Sequence, residues 1–420
     1  IERFFDPGST QRHSISIGQN TLSTNFMASF NQNEDAGVVP GNDGFLQRSL
    51  RANLDHRLRQ DLQFQVSTSY SRSEREDLEG NPFYDLMFFA PDVDLLEANP
   101  DGQPYNIRPD PLQLQANPLY AAHFGDDRLF RSRIMGSTAV RYSPANWFNL
   151  ETQVSFDRSD RNTHDYQPKG FKTINSPEGT AGSVNRSSNI SQALNASLQG
   201  STLHSFGDLT MRLRAQGSFE RAQTENVGGT GSQLIVQDVE RVDVGAVRSG
   251  SSSETDVRSL GALGMTALDY AGKYIVEGMI RRDGSSLFGP DNRWHTYYRG
   301  SAAYIMSEEP WWPLDMFSTF KLRYSIGTAG GRPSFADQYE VWSVSGGTVS
   351  KSILGNRNLK PELQTEQEFG VDMILNNRVQ LTLTRALSKV EDQLLQIPLP
   401  AAFGYSVQWQ NAGTVESDTW

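Results

Sequence analysis

Long runs of alternating apolar and polar residues recur in pairs along this chain. A very short connection joins each pair, and a long one separates it from the next. The unit is clearest at 46–73. Leu46, Leu50, Ala52, Leu54 and Leu58 fall on even positions, among Gln47, Ser49, Arg51, Asn53 and Asp55 on odd ones. Arg59, Gln60 and Asp61 make a turn. Leu62, Phe64, Val66, Thr68 and Tyr70 then alternate with Gln63, Gln65, Ser67, Ser69 and Ser71. Side chains on a strand point alternately to opposite faces. One face of the sheet is therefore apolar and the other is rich in Gln, Ser, Asn, Asp and Arg. Strands of about 9–11 residues suit a tilted crossing of a bilayer, and no separate aliphatic core segment accompanies them. The expectation is an all-β, antiparallel transmembrane β-barrel.

Composition agrees with that class once the periodicity is known. Only 37% of the 420 residues are hydrophobic, the mean hydropathy is −0.53, and no run of about eighteen apolar residues could form a membrane helix. A barrel strand needs only every second residue apolar, so a hydrophilic average is its normal signature. The net charge of −11 opposes binding to a phosphate backbone, so no nucleic-acid partner is expected. The chain has no cysteine, which removes thiol catalysis and thiolate metal sites. Ile1, Glu2, Arg3, Phe4 and Phe5 contain no apolar leader core.

The predicted strand pairs are 13–18 with 22–31, 46–58 with 62–73, 130–142 with 147–158, 188–199 with 209–220, 257–270 with 274–282, 295–306 with 319–326, and 366–375 with 379–388. Long connections are expected at 72–129, 159–187, 221–256, 327–365 and 389–415. Short turns facing the periplasm and long extracellular loops are the usual pattern of an outer-membrane barrel. Trp147, Phe148, Trp311, Trp312, Phe317 and Phe320 lie beside short turns, as an interfacial aromatic girdle requires.

Other constellations read as structural. Arg281-Arg282-Asp283-Gly284-Ser285-Ser286 could hold an anion, but Asp-Gly favours a turn and the two arginines alternate in direction. Gly327-Thr328-Ala329-Gly330-Gly331-Arg332 lacks the ending of a phosphate loop and reads as an extracellular loop. The six histidines show no metal-binding spacing, and His164-Asp165 has no nucleophile motif beside it. Catalytic, cofactor and metal residues are all expected to be none. Asn99 to Gln103 and Asp126-Asp127 offer hard oxygen ligands without calcium-loop spacing. In the longest connection Phe83, Tyr84, Tyr105 and Tyr120 are the candidate substrate-binding aromatics, free to stack on a ligand or to form the loop's own small core.

Several segments resemble the SusC/RagA-type TonB-dependent transporters. They are Leu268-Asp269-Tyr270-Ala271-Gly272-Lys273-Tyr274, Ile280-Arg281-Arg282-Asp283-Gly284-Ser285-Ser286-Leu287-Phe288-Gly289, Ile305-Met306-Ser307-Glu308-Glu309, Lys321-Leu322-Arg323-Tyr324-Ser325-Ile326-Gly327 and Leu359-Lys360-Pro361-Glu362. Asp392-Gln393-Leu394-Leu395-Gln396-Ile397-Pro398 continues the pattern. The resemblance implies a protein of the Gram-negative outer membrane that takes up nutrients such as oligosaccharides or peptides without bond chemistry, so not an enzyme. It implies a SusD-like surface lipoprotein, the TonB–ExbB–ExbD machinery acting through an N-terminal region, outer-membrane lipid, and a glycan or peptide substrate as partners. No plug or TonB box precedes Ile1, and about fourteen of the family's about 22 strands are legible. Residues 1–420 are therefore expected to be a partial barrel domain without plug or last strands. A passive porin-like channel is the alternative.

Overall fold

In the computed structural model, residues 5–40, 42–77, 82–112, 114–345 and 347–420 are described; residues 1–4, read above for a leader, lie outside them. The strands are β1 Thr10–Asn20, β2 Thr24–Asp35, β3 Phe45–Arg59, β4 Leu62–Asp77, β5 Asp126–Ala145, β6 Phe148–Gln167, β7 Ser183–Phe206, β8 Leu209–Leu234, β9 Gly245–Tyr270, β10 Tyr274–Ser285, β11 Trp294–Ile305, β12 Phe317–Gly331, β13 Val341–Ser345, β14 Thr348–Leu354, β15 Glu362–Leu375, β16 Val379–Glu391, β17 Leu394–Pro398, β18 Val407–Asn411 and β19 Thr414–Thr419. Two short helices, α1 Pro82–Asp85 and α2 Pro118–Phe124, lie in the longest connection.

Fifteen strands form one sheet in the order β1 to β12, then β15, β16 and β19. Every pairing is between chain neighbours within the sheet and is antiparallel. The sheet is not closed, and β1 and β19 are its edges. Sequential antiparallel pairing sends alternate connections to opposite ends of the strands. The short turns at 21–23, 60–61, 146–147, 207–208, 271–273 and 376–378 share one end with the 306–316 connection. The longest connections share the other. Ala271, Gly272, Asn376 and Asn377 adopt positive φ of 55°, 70°, 48° and 56°, the left-handed geometry that tight hairpins need.

Register turns the alternation into two continuous surfaces. Leu50 faces Tyr70 across β3 and β4, and Leu54 faces Val66. Arg51, Asn53 and Asp55 face Ser69, Ser67 and Gln65 on the opposite side. The apolar surface runs through Ile15, Phe30, Leu50, Tyr70, Phe156, Leu194, Phe219, Leu260, Ile280, Tyr298, Phe369 and Leu383, and it is open: Ile15 is 72% exposed, Ile280 60% and Leu383 56%. The buried apolar residues lie elsewhere. Val39, Ile107, Leu119, Tyr120, Phe171, Val184, Leu234 and Leu359 all belong to the loop end. The chain keeps its core in its loops and leaves one face of its sheet uncovered.

The band has defined borders. At the loop side, Arg48, Arg72, Arg158, Arg221, Arg258, Arg282 and Arg385 each occupy the next position on the same face beyond an apolar residue, respectively Leu50, Tyr70, Phe156, Phe219, Leu260, Ile280 and Leu383. At the turn side, Trp312 packs on Phe317 and Phe320 with ring centroids 6.4 and 5.0 Å away. Trp147 lies 5.2 Å from the His204 ring, and Tyr274 stacks on Tyr304 at 4.8 Å. A bulge between Tyr142 and Ala145 lets Pro144 sit in β5, where it would otherwise interrupt the ladder, so the turn expected at 143–146 falls instead at 146–147.

Several connections expected to be loops contain strand. β8 and β9 are 26 residues each, so all but 235–244 of the 221–256 connection is hairpin. The apolar alternation stops near Phe219 and Leu260, but backbone pairing continues through polar partners such as Thr224 with Thr255 and Asn226 with Ser253, because ladder hydrogen bonds do not depend on side-chain polarity. β13, β14, β18 and β17 form a second sheet of four strands from the connections expected at 327–365 and 389–415. Gly327 to Gly331, read as loop, are the end of β12. A Cβ on Gly330 would lie 2.0 Å from the Tyr297 hydroxyl, so the glycine makes room for that ring. Asp283-Gly284 is likewise strand: Trp294 is the cross-strand partner of Gly284, and its ring would sit 2.8 Å from a Cβ there. The glycine admits an aromatic ring rather than a turn.

Candidate functional site

The polar face and the loop structures above it form the candidate site. Ion pairs on the face run between neighbouring strands. Arg133 Nε donates to Asp157 at 2.9 Å, Arg141 reaches Glu151 at 3.0 Å, and Arg323 reaches Asp372 at 3.2 Å. The neutral groups connect the same way. Gln63 donates to Asp55 at 2.7 Å, and Ser67 to Asn53 at 2.7 Å. A wall of paired polar groups suits the lumen side of a barrel, which is polar.

Above the wall, the 82–125 segment has its own core. Asn117 organises it. This fully buried side chain caps α2 by accepting from the Leu119 amide at 3.1 Å, and it donates to the carbonyls of Leu95 and Asn106 at 2.8 and 3.0 Å. Pro118 follows at the first helical position, where its missing N–H costs nothing. Tyr120 packs on Phe124 and Phe171 with centroids 4.6 and 5.3 Å away, and its hydroxyl accepts from the Lys172 amide at 2.9 Å. Burial pushes the Tyr120 phenol up from its ordinary value. The half-buried Asp85 carboxyl is also pushed up by burial, although Gln115 donates to it. Lys172 is buried and forms an ion pair with Asp101, joining this segment to the 168–182 connection.

The sequence candidates therefore occupy different environments. Tyr120 is 1% exposed. Tyr105 packs against the same small cores, at a φ of 61°. Phe83 and Tyr84 are each 56% exposed. Asn99 is consumed internally: it donates to the Tyr105 carbonyl and accepts from the Ile107 amide, at 2.8 and 3.0 Å. Replacing Asn117 with Ala is expected to remove a cap worth about 0.5–2 kcal/mol and to strand two carbonyls. Protease added to cells carrying the full-length protein should then cut 82–125 much faster than in the parent and still spare 60–61. Unchanged cutting would refute the capping role.

Two groupings were not visible in the sequence. On the second sheet, Lys351 Nζ lies 4.8 Å from the Tyr405 ring centroid and 5.8 Å from that of half-exposed Trp342. The Tyr405 hydroxyl donates to Glu340 at 3.0 Å. Burial, and then this carboxylate, push the Tyr405 phenol up. The exposed Tyr339 and Phe403 lie in the neighbouring loops, so this end of the chain carries more aromatic surface than the 82–125 segment alone. The residues come from segments over 50 positions apart, and no local spacing announces them.

The second grouping is Asp126, His164 and Glu240, which have ligand-type atoms within 4.8 Å of one another. Spacing in the sequence does not join them, since they lie on separate segments. His164 Nε2 is 2.9 Å from Glu240. However, Arg128 and Arg186 are the cross-strand partners of His164. Arg128 lies 2.7 Å from Asp126, and Arg186 donates to the Glu240 carbonyl at 2.9 Å. Two guanidiniums already supply positive charge here. The cluster ties the 235–244 connection down over the buried Tyr166, Val184 and Leu234.

The comparisons agree with this architecture. TonB-dependent receptor P26 of Formosa agariphila is 25% identical over 97% of this chain and 42% of its own length. TonB-dependent receptor SusC of Bacteroides thetaiotaomicron is 27% identical over 34% of this chain and 16% of its own length. The structure of the RagAB peptide transporter superposes with a TM-score of 0.76 at 15% identity, over 97% of this chain and 47% of that one. This chain spans less than half the length of the curated relatives it matches. The profile described as TonB dependent receptor-like, beta-barrel, matches residues 3–418, and the chain belongs to that family.

Proposed function

We propose that this chain forms a large part of the wall of an outer-membrane transporter that binds and translocates oligomeric nutrients and breaks no bond itself. The observation that carries the reading is the open apolar band, backed by a polar, ion-paired face. Exposed apolar surface of this extent is untenable in water and is what acyl chains require. On β5 the band runs from Tyr142 to Ile134, about nine residues, enough for a tilted strand to cross the hydrocarbon layer. Aromatics border it at the turn side and arginines at the loop side, both suited to a headgroup interface. The turns then face the periplasm and the long connections face outside. A bilayer does not tolerate open sheet edges, so β1 and β19 pair with strands outside this chain.

The family, and the likeness to the RagAB peptide transporter, support energy-coupled uptake over the passive porin-like channel. In this reading a plug closes the pore, TonB–ExbB–ExbD supplies the work, and a SusD-like lipoprotein covers the loop end. Oligosaccharides or peptides are the cargo. Exposed Phe83 and Tyr84 supply stacking surface to substrate or lid. Tyr105 and Tyr120 hold the segment that presents them. The test is a strain deleted for the full-length gene and offered a panel of glycans and peptides. It should lose uptake of one class of oligomer and retain monomers. Normal uptake and surface binding of every panel member would overturn the reading.

A further inference from the structure

The loop-side end of the polar face carries an unbalanced charge. Arg75, Arg131, Arg133 and Arg161 line one shallow depression, and Asp157 is the one carboxylate among its lining residues. Arg133 takes Asp157 through two hydrogen bonds, at 2.9 and 2.5 Å. Arg75 pairs with Asp77 at 2.7 Å. Arg131 and Arg161 are directly opposite each other on β5 and β6. Among the described residues neither forms an ion pair with a carboxylate, and Arg131 reaches only the Ser159 hydroxyl, at 3.4 Å. Like charges directly opposite on one face destabilise a strand pair. Their cross-strand partners on the outer sides, Ser73 and Asn189, are small and neutral. An anion between the two arginines would turn the repulsion into binding.

Height on the wall says which anion. Arg131 and Arg161 lie beyond Ile134 and Phe156, after which Ser132 and Arg158 end the continuous apolar run on the other face of the same two strands; Phe130, past that break, stands between Glu74 and Asn162. The depression is thus above the hydrocarbon band, at the mouth where a solute arrives from the loop side. Asn189 and Ser191 continue it with neutral hydrogen-bonding groups, which suit hydroxyls or amides between charges. Guanidinium forks recognise carboxylates bidentately.

We infer that this depression is an entry subsite for an oligomer bearing repeated carboxylates, an acidic glycan or an acidic peptide, with Arg131 and Arg161 as its principal contacts. The inference rests on the transport reading and narrows its substrate class. It is tested on the full-length protein in detergent by calorimetry, using four probes: an oligogalacturonate, its neutral methyl ester, a glutamate-rich peptide and its glutamine counterpart. One acidic probe should bind at least tenfold more tightly than its neutral partner, with an affinity that falls as salt rises; which one does so separates glycan from peptide. Arg131→Gln with Arg161→Gln should abolish that preference, while Arg131→Lys with Arg161→Lys, which keeps the charge and loses the bidentate fork, should fall between the two. Equal binding of acidic and neutral probes would overturn the subsite, as would full acidic preference in the glutamine variant. The deletion strain separates this from failure of the transport reading. Loss of neutral-oligomer uptake in that strain leaves transport standing and removes the charge preference, whereas normal uptake of all oligomers removes transport itself.

Discussion

Uptake of the cognate substrate by the full-length protein is expected to stop when TonB is deleted or the proton gradient is collapsed, while binding at the cell surface persists. No energy-coupling residue need lie in this chain for that result. A plugged barrel has no open path, so translocation requires work on the plug from outside. The wall's polar face can lower the cost of moving a hydrated solute but cannot supply a gradient. In the proposed reading, binding uses the loop end and the mouth, which neither treatment touches. The measurement is accumulation of labelled substrate in parent and deletion strains, with and without a protonophore, alongside retention on chilled cells. Undiminished uptake under both treatments would favour a passive channel. Loss of surface binding together with uptake would mean that the loop end depends on the energised state.

The second large effect tests which face meets lipid. Leu54→Arg is expected to destabilise the full-length barrel by about 2–4 kcal/mol, the cost of a guanidinium near the bilayer midplane. Asn53→Arg, one residue away on the polar face, should cost well under that, because its neighbours Ser67 and Asp55 leave it among hydrated and acidic groups. Reversible unfolding in lipid or detergent, read by heat-modifiable migration or tryptophan emission, gives both values. The contrast controls for the loss of the parent side chain and for the added positive charge. Equal costs at the two positions, or the reverse order, would refute the assignment of faces.

The alternation made the two faces legible before any coordinates. Leu50, Leu54, Phe64, Val66 and Tyr70 share one surface, and Arg51, Asn53, Asp55, Gln63 and Gln65 the other. Period two is a property of a single strand, readable from a dozen residues. The short turns were legible for a similar reason: Asn376-Asn377 and Ala271-Gly272 are local conformational signals. The strand extensions of β7, β8 and β9 were not, because Ser, Gly and Thr partners such as Gly229 with Gly250 read as loop. Only the partner strand's backbone makes them sheet. The small sheet of β13, β14, β17 and β18 was hidden too, since it joins segments separated by β15 and β16.

Among the candidate residues, sequence reasoning nominated Phe83, Tyr84, Tyr105 and Tyr120 as one class of loop aromatic. Packing divides them: Ile107 and Phe171 bury Tyr120, while Phe83, stacked on Phe5, and Tyr84, edge-on to Phe88, stay half exposed. The arginines opposed at 131 and 161, and the cluster of Asp126, His164 and Glu240, could not be nominated. The sequence by itself determined the class of fold, the turns, and the face on which each side chain lies, because those follow from local periodicity and backbone preference. The tertiary structure alone decided which residues stand opposite one another and at what height above the apolar band. Alternation specifies a side, but inter-strand register specifies the partner, and register is set by hydrogen bonds between segments tens of residues apart.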